Sequence, residues 1–322
     1  MKEKYDVVVV GGGAAGLSGA LALARARRSV LVIDAGEPRN AQAQHVHNYL
    51  GREGTPPGEL LAAGRLEVTG YGGEVVSGTV ASAQVMGEGG GFRVVLEEGG
   101  VVMARRLLVT TGLVDDLPEV PGVAERWGRE VLHCPYCHGW EVRDQAIGVL
   151  ARGSLGPHLA LLFRQWSADV TLFQHDASAP SPDEREQLAA RGIALVEGEV
   201  AALDVADDKL TGVRLRSGRV IPLQAVVVSP RFNARADALA SLGLEPVEQQ
   251  FGGQVIGSYV PADPMGATAV PGVWVAGNVA DLHAQVIASA AAGLKTAAAI
   301  NADLIAEDTR LAMAALVAGS PV

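Results

Sequence analysis

The chain has very few cysteines, since only Cys134 and Cys137 occur in 322 residues. Both belong to one C-x-x-C motif, which excludes a framework of several structural disulfides. Long apolar runs are also missing, because the first one, residues 5–10, is broken at once by glycine. We therefore expect neither a signal peptide nor a membrane span, a cytoplasmic location and no membrane partner.

Basic clusters and aromatic residues are sparse as well. The formal net charge is −10, and the sequence contains no cluster of Lys and Arg residues, so we expect no nucleic-acid partner. Aromatic residues make up 4% of the chain, against 48% hydrophobic residues and 40 glycines. This composition suits parallel sheets flanked by Ala-rich and Leu-rich helices. The length predicts about two domains.

A glycine-rich turn follows the first predicted strand. Residues 5–10 are typical of a buried strand and lead directly into G-x-G-x-x-G. In this pattern Gly11 permits the tight turn, Gly13 lets a pyrophosphate approach the backbone, and Gly16 lets helix and strand pack closely. A helix is predicted over 17–28 and a strand over 29–33, and Asp34 follows at the offset of a carboxylate that binds a ribose hydroxyl. This order of strand, glycine turn, helix, strand and carboxylate predicts an adenine-dinucleotide site, but it does not distinguish FAD from NAD.

Two later segments favour FAD. The predicted strand at 107–112 ends in Thr111 and Gly112, and the one at 270–278 ends in Gly277 and Asn278, ahead of a helix over about 283–304. With the first segment they resemble the three motifs of flavoproteins that have two dinucleotide-binding domains. That resemblance implies that Gly277 lies under the flavin pyrophosphate and ribityl chain. Many relatives have Asp where this chain has Asn278, which is expected to bond a ribityl hydroxyl or, alternatively, to be a plain helix N-cap.

The C-x-x-C motif at 134–137 reads Cys-Pro-Tyr-Cys and lies between His133 and His138. Two cysteines at this spacing can close a small disulfide ring, and the motif lowers a thiol pKa toward neutrality. Zinc bound by the two cysteines and two histidines is an alternative, although one compact segment can hardly surround a tetrahedral ion. An inert buried pair is the third interpretation. We predict a redox pair and no metal.

The order of predicted elements indicates one domain nested within another. The fold class is α/β, with two Rossmann-like dinucleotide-binding domains of which the second is inserted in the first. Residues 1–113 and 240–322 are expected to form the FAD-binding domain, and 114–239 the middle domain with the cysteines. A linker is predicted over 113–121. Two linkers running side by side imply a hinge.

Six segments carry a more specific pattern, at 38–40, 47–51, 134–141, 230–232, 276–281 and 284–287. Together with the glycine motif they resemble, over the full length, the low-molecular-weight thioredoxin reductases. The closer resemblance is to the FAD-dependent dithiol oxidases that close the disulfides of small natural products such as gliotoxin and holomycin. The resemblance implies FAD, a homodimer, a small dithiol substrate, and O2 reduced to H2O2. It also implies that Cys134 takes the substrate's attack while Cys137 faces the flavin. The further FAD contacts that it implies are Ala14, Ala15, Ala35, Arg39, Asn40, Asn48, Gln285 and Val286.

A second nucleotide site would separate a reductase from an oxidase. An NADPH site has a glycine-rich loop after one strand and a basic cluster after the next. In this chain Ala151 replaces the first glycine, Pro157 lies where a helix should present N–H donors, and residues 173–176 contain no arginine. We predict a degenerate site. Since Pro157 is tolerated in a first turn and Arg152 could bind a phosphate, an NADPH-fed reductase of thioredoxin or a similar protein is the alternative.

Thiol–disulfide exchange needs a thiolate to be made and a leaving thiol to be protonated. An imidazole with a pKa near 6.5 can do both, which makes His138 the first candidate and His133 the second. Either histidine could instead have a structural hydrogen bond. A non-enzymatic flavoprotein or redox sensor is the third class of function, which the intact C-x-x-C motif supports little.

Overall fold

The computed structural model describes residues 2–87, 90–150 and 152–317. Ala151, where the first glycine of the second nucleotide loop is replaced, lies outside the described residues. So do residue 1 and residues 318–322, the two ends of the predicted FAD-binding domain. Within the described ranges, no helix is both long enough and apolar enough to cross a membrane.

The first sheet is built around the strand that precedes the glycine turn. It contains β1 (Lys4–Val10), β2 (Val30–Asp34), β3 (Glu74–Ser77), β4 (Val80–Val85), β5 (Phe92–Leu96), β6 (Val101–Val109) and β19 (Val273–Val275). The order is β3-β2-β1-β6-β5-β4, and β19 pairs in parallel with the second half of β6. The valines of β1 are buried because both faces of this sheet are covered.

Three helices cover one face of the first sheet: α1 (Ala14–Arg25), α2 (Pro57–Gly70) and α7 (Val286–Val317). α1 begins and ends three residues earlier than predicted. A 3-10 turn, Gly277–Val279, lies between β19 and α7. α7 continues well past the predicted end at 304. Residues 303–308 of this helix are held by ion pairs from Arg105 to Glu307 and Asp308, and from Arg106 to Asp303.

The second sheet is parallel and has the order β11-β10-β9-β15-β8. Its strands are β8 (Val131–Leu132), β9 (Ile147–Leu150), β10 (Val170–Phe173), β11 (Ala194–Val196) and β15 (Ala225–Val228). One face packs on α4 (Gly156–Phe163) and α5 (Pro182–Ala190). The other face packs on an antiparallel sheet of β12 (Val200–Ala206), β13 (Lys209–Leu215) and β14 (Val220–Pro222). A 3-10 turn, Gly153–Leu155, precedes α4, and the short α3 (Pro135–His138) follows β8. Two sheets with this arrangement confirm the predicted α/β class.

The two sheets are joined by a pair of crossing strands. β7 (Leu113–Asp116) and β16 (Arg231–Ala234) pair in antiparallel register, and β18 (Gln254–Tyr259) and β17 (Val247–Phe251) extend this sheet. The first four residues of the linker predicted over 113–121 therefore form a β-strand, which was not predicted. Their partner lies more than a hundred residues away in the sequence, so no local pattern could show it. The predicted domain limits fall inside β7 and inside α6 (Asp237–Ala240), and the division into domains stays a prediction.

Candidate active site

A cavity of about 1110 Å³ lies between the two sheets, at the carboxyl ends of β1, β2, β6, β8 and β15. Ligands of parallel α/β sheets bind at this edge. The cavity is lined by most of the residues predicted from the sequence, namely Gly11, Gly13, Ala14, Ala15, Asp34, Ala35, Arg39, Asn40, Thr111, Gly112, His133, Cys134, Cys137, His138, Gly277, Asn278, Gln285 and Val286. Gly16 and Asn48 are not among the lining residues.

The glycine turn presents free backbone to this cavity. Gly11 has a φ of +104°, which favours glycine, and its carbonyl oxygen accepts a hydrogen bond from Thr110 Oγ1 at 2.8 Å. A side chain on Gly16 would overlap that same carbonyl group. Gly13 has open space above it and caps α1 without a side-chain hydrogen bond. The first N–H groups of α1 are thus available to phosphate oxygens.

Asp34 is fixed at the edge of the cavity by two donors. Its Oδ1 accepts the Gly12 N–H at 3.0 Å, and its Oδ2 accepts Arg65 Nη2 at 2.8 Å. Each carboxylate oxygen has a second lone pair, so the pair of contacts leaves acceptors for the two hydroxyls of a ribose. Arg65 lies in the middle of α2, and no motif indicated its role.

The turn before α7 supplies the opposite wall of the cavity. Gly277 has a φ of +77°, and a Cβ there would meet Ala15 Cβ at 2.9 Å, so this turn passes directly over the start of α1. Asn278 Nδ2 donates to the carbonyls of Asp281 and Ala284 at 2.9 Å each. The amide closes the turn with its donors, and its Oδ1 accepts Arg39 Nη1 at 3.5 Å and has a second lone pair for a ribityl hydroxyl. These glycine cradles fit an extended dinucleotide such as FAD.

Arg39 and Asp115 form an ion pair beside this wall. Arg39 donates to the Asp115 carboxylate twice, at 2.7 and 2.6 Å, and its guanidinium lies 5.1 Å from the ring centroid of Phe232. The pairing is bidentate, which is the strong geometry for this contact. Arg39 was predicted as a cofactor contact, whereas Asp115, in β7, was not singled out.

Cys134 and Cys137 are joined in a disulfide, with their Cα atoms 5.2 Å apart. Cys134 precedes α3, and its Sγ accepts the backbone N–H of Cys137 at 3.1 Å. An N–H donor at this place stabilises a thiolate on Cys134 when the disulfide is open. Asn48 Nδ2 donates to the carbonyl of Tyr136, which ties the loop around residue 48 to the cysteine helix.

Both histidines beside the cysteines have lowered pKa values. The pKa of His133 is lowered to about 4, first by burial and then by the Arg39 guanidinium, against smaller opposing effects of Asp115 and the Val228 backbone. Burial also lowers the pKa of His138, which the Glu141 carboxylate partly offsets. The expectation of an ordinary value near 6.5 is therefore wrong for both rings, and both are neutral at pH 7.

The loop after β9 is occupied by the side chain of Gln254. Gln254 Oε1 accepts the Ser154 N–H at 3.1 Å, and its Nε2 donates to the Arg152 carbonyl at 3.2 Å. Arg152 itself donates to the Leu117 carbonyl at 2.7 Å and pairs with Asp116 at 3.1 Å. The Ser154 N–H and the Arg152 guanidinium are thus engaged by other parts of the chain. The degenerate nucleotide site stays a prediction.

The carboxyl end of β10 shows the same pattern. His175 stands where a basic residue for a nucleotide 2′-phosphate was sought, and its Nδ1 accepts the N–H of Val200 at 3.0 Å. The imidazole ring of His175 is therefore hydrogen-bonded to the backbone of β12.

Several residues that shape the site were missed in the sequence. They are Thr110, which orients Gly11, and Arg65, Asp115, Ser229 and Gln254. Ser, Thr and Gln are common residue types, and the Thr110, Arg65, Asp115 and Gln254 side chains each contact a segment far away along the chain. Only the position of Thr110, next to the predicted Thr111, offered any signal.

Comparison with known proteins agrees with this geometry. The sequence signature of the pyridine nucleotide-disulphide oxidoreductase family matches residues 5–297. The chain is 29% identical over 319 residues to thioredoxin reductase sirT of Leptosphaeria maculans, covering 94% of this chain and 95% of that protein. It is 30% identical over 285 residues to thioredoxin reductase tcpT of Claviceps purpurea, covering 85% and 86%.

Solved structures show the same likeness. The crystal structure of HlmI superposes with a TM-score of 0.91 at 44% identity, over 99% of both chains. An oxidoreductase from Agrobacterium tumefaciens superposes with a TM-score of 0.86 at 35% identity, over 94% of this chain and 99% of that one. The resemblance to thioredoxin reductases is thereby confirmed. The chain belongs to the pyridine nucleotide-disulphide oxidoreductase family, as a thioredoxin reductase-like disulfide oxidoreductase with FAD as its cofactor.

Proposed function

We propose that the protein oxidises a small-molecule dithiol to an intramolecular disulfide, with O2 as electron acceptor and H2O2 as product. The observation that carries this proposal is the Gln254 side chain in the loop where a nicotinamide nucleotide would place its phosphates. The disulfide, in contrast, lines the same cavity as the dinucleotide cradle. Electrons therefore enter as thiols.

The exchange begins when one substrate thiolate attacks Cys134 and releases Cys137 as a thiolate. The second substrate sulfur then attacks the first, which closes the substrate disulfide and releases Cys134. Two electrons and two protons leave the substrate in these steps. FAD, when bound, supplies the chemistry that takes two electrons from a dithiol and delivers them to O2.

Two features of the cysteine segment support these roles. The N–H of Cys137 already points at Cys134 Sγ and stabilises the charge that develops there in the second step. His138, neutral at pH 7, can take the substrate's thiol proton as the attack begins. Tyr136 and Trp140 are 60% and 65% exposed, so the rim of the site is open to a small substrate.

We also propose that the two domains expected from the sequence have different roles. Residues 1–113 and 240–322 bind FAD, and residues 114–239 carry the redox pair. The protein acts in the cytoplasm as a homodimer, as the resemblance implies. A reductase of thioredoxin or a similar disulfide protein is the second candidate, because two of its relatives are named thioredoxin reductases.

Anaerobic reduction of the yellow protein separates the two candidates. Dithiothreitol, NADPH and NADH are added separately, and the visible flavin absorbance is followed. We expect the dithiol to bleach the flavin, and air to restore the colour with one H2O2 formed per dithiol oxidised. Fast bleaching by NADPH would overturn the oxidase.

A Cys137→Ser variant is the control for this experiment. It retains the Cys134 thiol but has no disulfide for a thiolate to attack, so we expect its flavin to stay oxidised with any of the three donors. Bleaching of this variant by dithiothreitol at the wild-type rate would show that the dithiol reduces the flavin without the cysteine pair.

A further inference from the structure

Two buried polar side-chain atoms have no hydrogen-bond partner in the described part of the chain, and both flank the disulfide. They are Nδ1 of His133 and Oγ of Ser229. Ser229 is only 6% exposed and follows β15 at the edge of the cavity. Leaving a buried hydroxyl unpaired is unfavourable, so such a group calls for a partner. Ser229 lines the same cavity as the disulfide, so a sulfur released by reduction can become the partner of this hydroxyl.

The strand register identifies that partner. β15 and β8 are parallel neighbours, with Val226 opposite Val131 and Val227 opposite Leu132. Two residues further along, Ser229 comes opposite Cys134, whose backbone is still extended at φ −87° and ψ 117°.

Side-chain directions agree with this register. Paired residues of neighbouring strands point to the same face of a sheet, and the face alternates along the strand. Val227 and Leu132 share one core cluster, whereas Val226 and Val131 share the cluster on the opposite face. Ser229 and Cys134, two positions beyond Val227 and Leu132, therefore lie side by side on the same face.

Reduction of the disulfide changes how many hydrogen bonds Cys134 Sγ can accept. In the oxidised protein its sulfur is bonded to Cys137 and accepts one backbone N–H. After reduction the two sulfurs separate from a bond of about 2 Å to a non-bonded distance, and Cys134 Sγ can carry a negative charge that accepts further donors. A serine hydroxyl rotates freely and can supply one of them.

We propose that Ser229 is a positioning residue whose hydroxyl donates a hydrogen bond to the Cys134 thiolate once the disulfide is open. The inference rests on the proposed dithiol chemistry. Ser229 keeps its proton, while the two electrons that break the S–S bond come from the substrate dithiol. The hydroxyl gains a partner only in the reduced state, so it shifts the disulfide–dithiol equilibrium toward the dithiol. It also makes Cys134 a better leaving group in the second exchange step.

The test is the redox equilibrium of the purified flavoprotein in anaerobic mixtures of reduced and oxidised dithiothreitol. Free thiols are trapped by alkylation and counted by mass spectrometry. We expect Ser229→Ala to shift the equilibrium about tenfold toward the disulfide, which is about 30 mV in potential. Ser229→Thr, which keeps the hydroxyl, should restore most of the shift. Thr171→Val, a buried hydroxyl removed from β10 away from the cavity, should leave the equilibrium unchanged.

Two results would overturn the proposal. One is a Ser229→Ala equilibrium within twofold of wild type. The other is loss of flavin from Ser229→Ala with an unchanged thiol equilibrium, because the hydroxyl would then serve the cofactor. Failure of the proposed function looks different: the wild-type pair would exchange normally with dithiothreitol, but aerobic turnover with a dithiol would form no H2O2.

Discussion

His133 shows how the surroundings of one residue change its chemistry. Burial next to Arg39 holds the pKa of its ring at about 4, against about 6.5 in an unfolded chain. As the pH falls, the unfolded chain binds this proton before the folded protein does. The contribution of this ring to the stability of the fold is therefore complete above pH 6.5 and is lost progressively as the pH falls toward 4.

A His133→Gln variant removes this titration. We expect the drop in unfolding free energy between pH 7 and pH 4.5 to become smaller by roughly 2 kcal/mol than in the wild type. Denaturant unfolding at the two pH values measures it. The exposed His45→Gln is the control, and the same drop in His133→Gln as in the wild type would contradict the assignment.

For single residues, the sequence predicted the role of those that belong to a local sequence motif. The glycines at 11, 13 and 16 and the two cysteines are of this kind, since their spacing alone carries the geometry. Gln254 and Ser229 could not be predicted. Gln254 acts on a loop a hundred residues before it, and Ser229 lies beside Cys134 only because β8 and β15 are neighbours.

The element most sensitive to a small change is the turn between β1 and α1. A Cβ on Gly16 would overlap the carbonyl of Gly11 and come within 2.6 Å of Thr110 Oγ1. We expect Gly16→Ala to displace the turn, to destabilise the protein by about 1–3 kcal/mol and to weaken FAD binding. Thermal unfolding and the ratio of flavin to protein absorbance report the two effects.

Gly58→Ala in α2 is the matched control for this variant. No atom lies within 4 Å of a Cβ at Gly58, so the extra methyl group meets open space. In a helix, alanine is preferred over glycine by about 1 kcal/mol, and we expect this variant to be as stable as the wild type or slightly more stable. Gly16→Ala protein with full flavin content and unchanged stability would show that the turn tolerates a side chain.

Helices and strands with local signals were predicted close to their observed positions. β2 was predicted over 29–33 and is found over Val30–Asp34, because four consecutive apolar residues follow Ser29. The continuation of α7 past residue 304 was missed because Glu307 and Asp308 pair with Arg105 of β6, about 200 residues earlier in the chain. β7 was missed for a similar reason, since its pairing with β16 is a long-range contact.

For the whole molecule, the contacts between the two sheets favour one fixed arrangement. β7 and β16 pair over their full lengths, Arg39 pairs with Asp115, and Gln254 is bonded within the loop after β9. Because a small dithiol needs no docking surface for a protein, it can reach the disulfide in this arrangement. These contacts therefore restrain the hinge that was expected from two linkers running side by side.

We expect reduction by a dithiol to leave the arrangement of the two sheets unchanged. Small-angle X-ray scattering of the oxidised and the dithiol-reduced protein should give superimposable curves. An Asp115→Ala, Gln254→Ala double variant, which lacks two of the braces, is the comparison in which a larger radius of gyration is expected. A larger radius for reduced wild-type protein would show that the sheets rotate during turnover.

The position of β19 in the chain has a consequence for biosynthesis. β6 ends at residue 109, but the strand that pairs with its second half begins only at residue 273. At usual rates of translation the ribosome takes on the order of 8 to 30 s to reach that strand. Throughout this interval the nascent polypeptide exposes an unpaired apolar edge and only half of a cofactor cradle. Flavin loading must therefore follow release of almost the entire chain, and supply of the vitamin-derived cofactor during expression should decide how much product stays out of inclusion bodies.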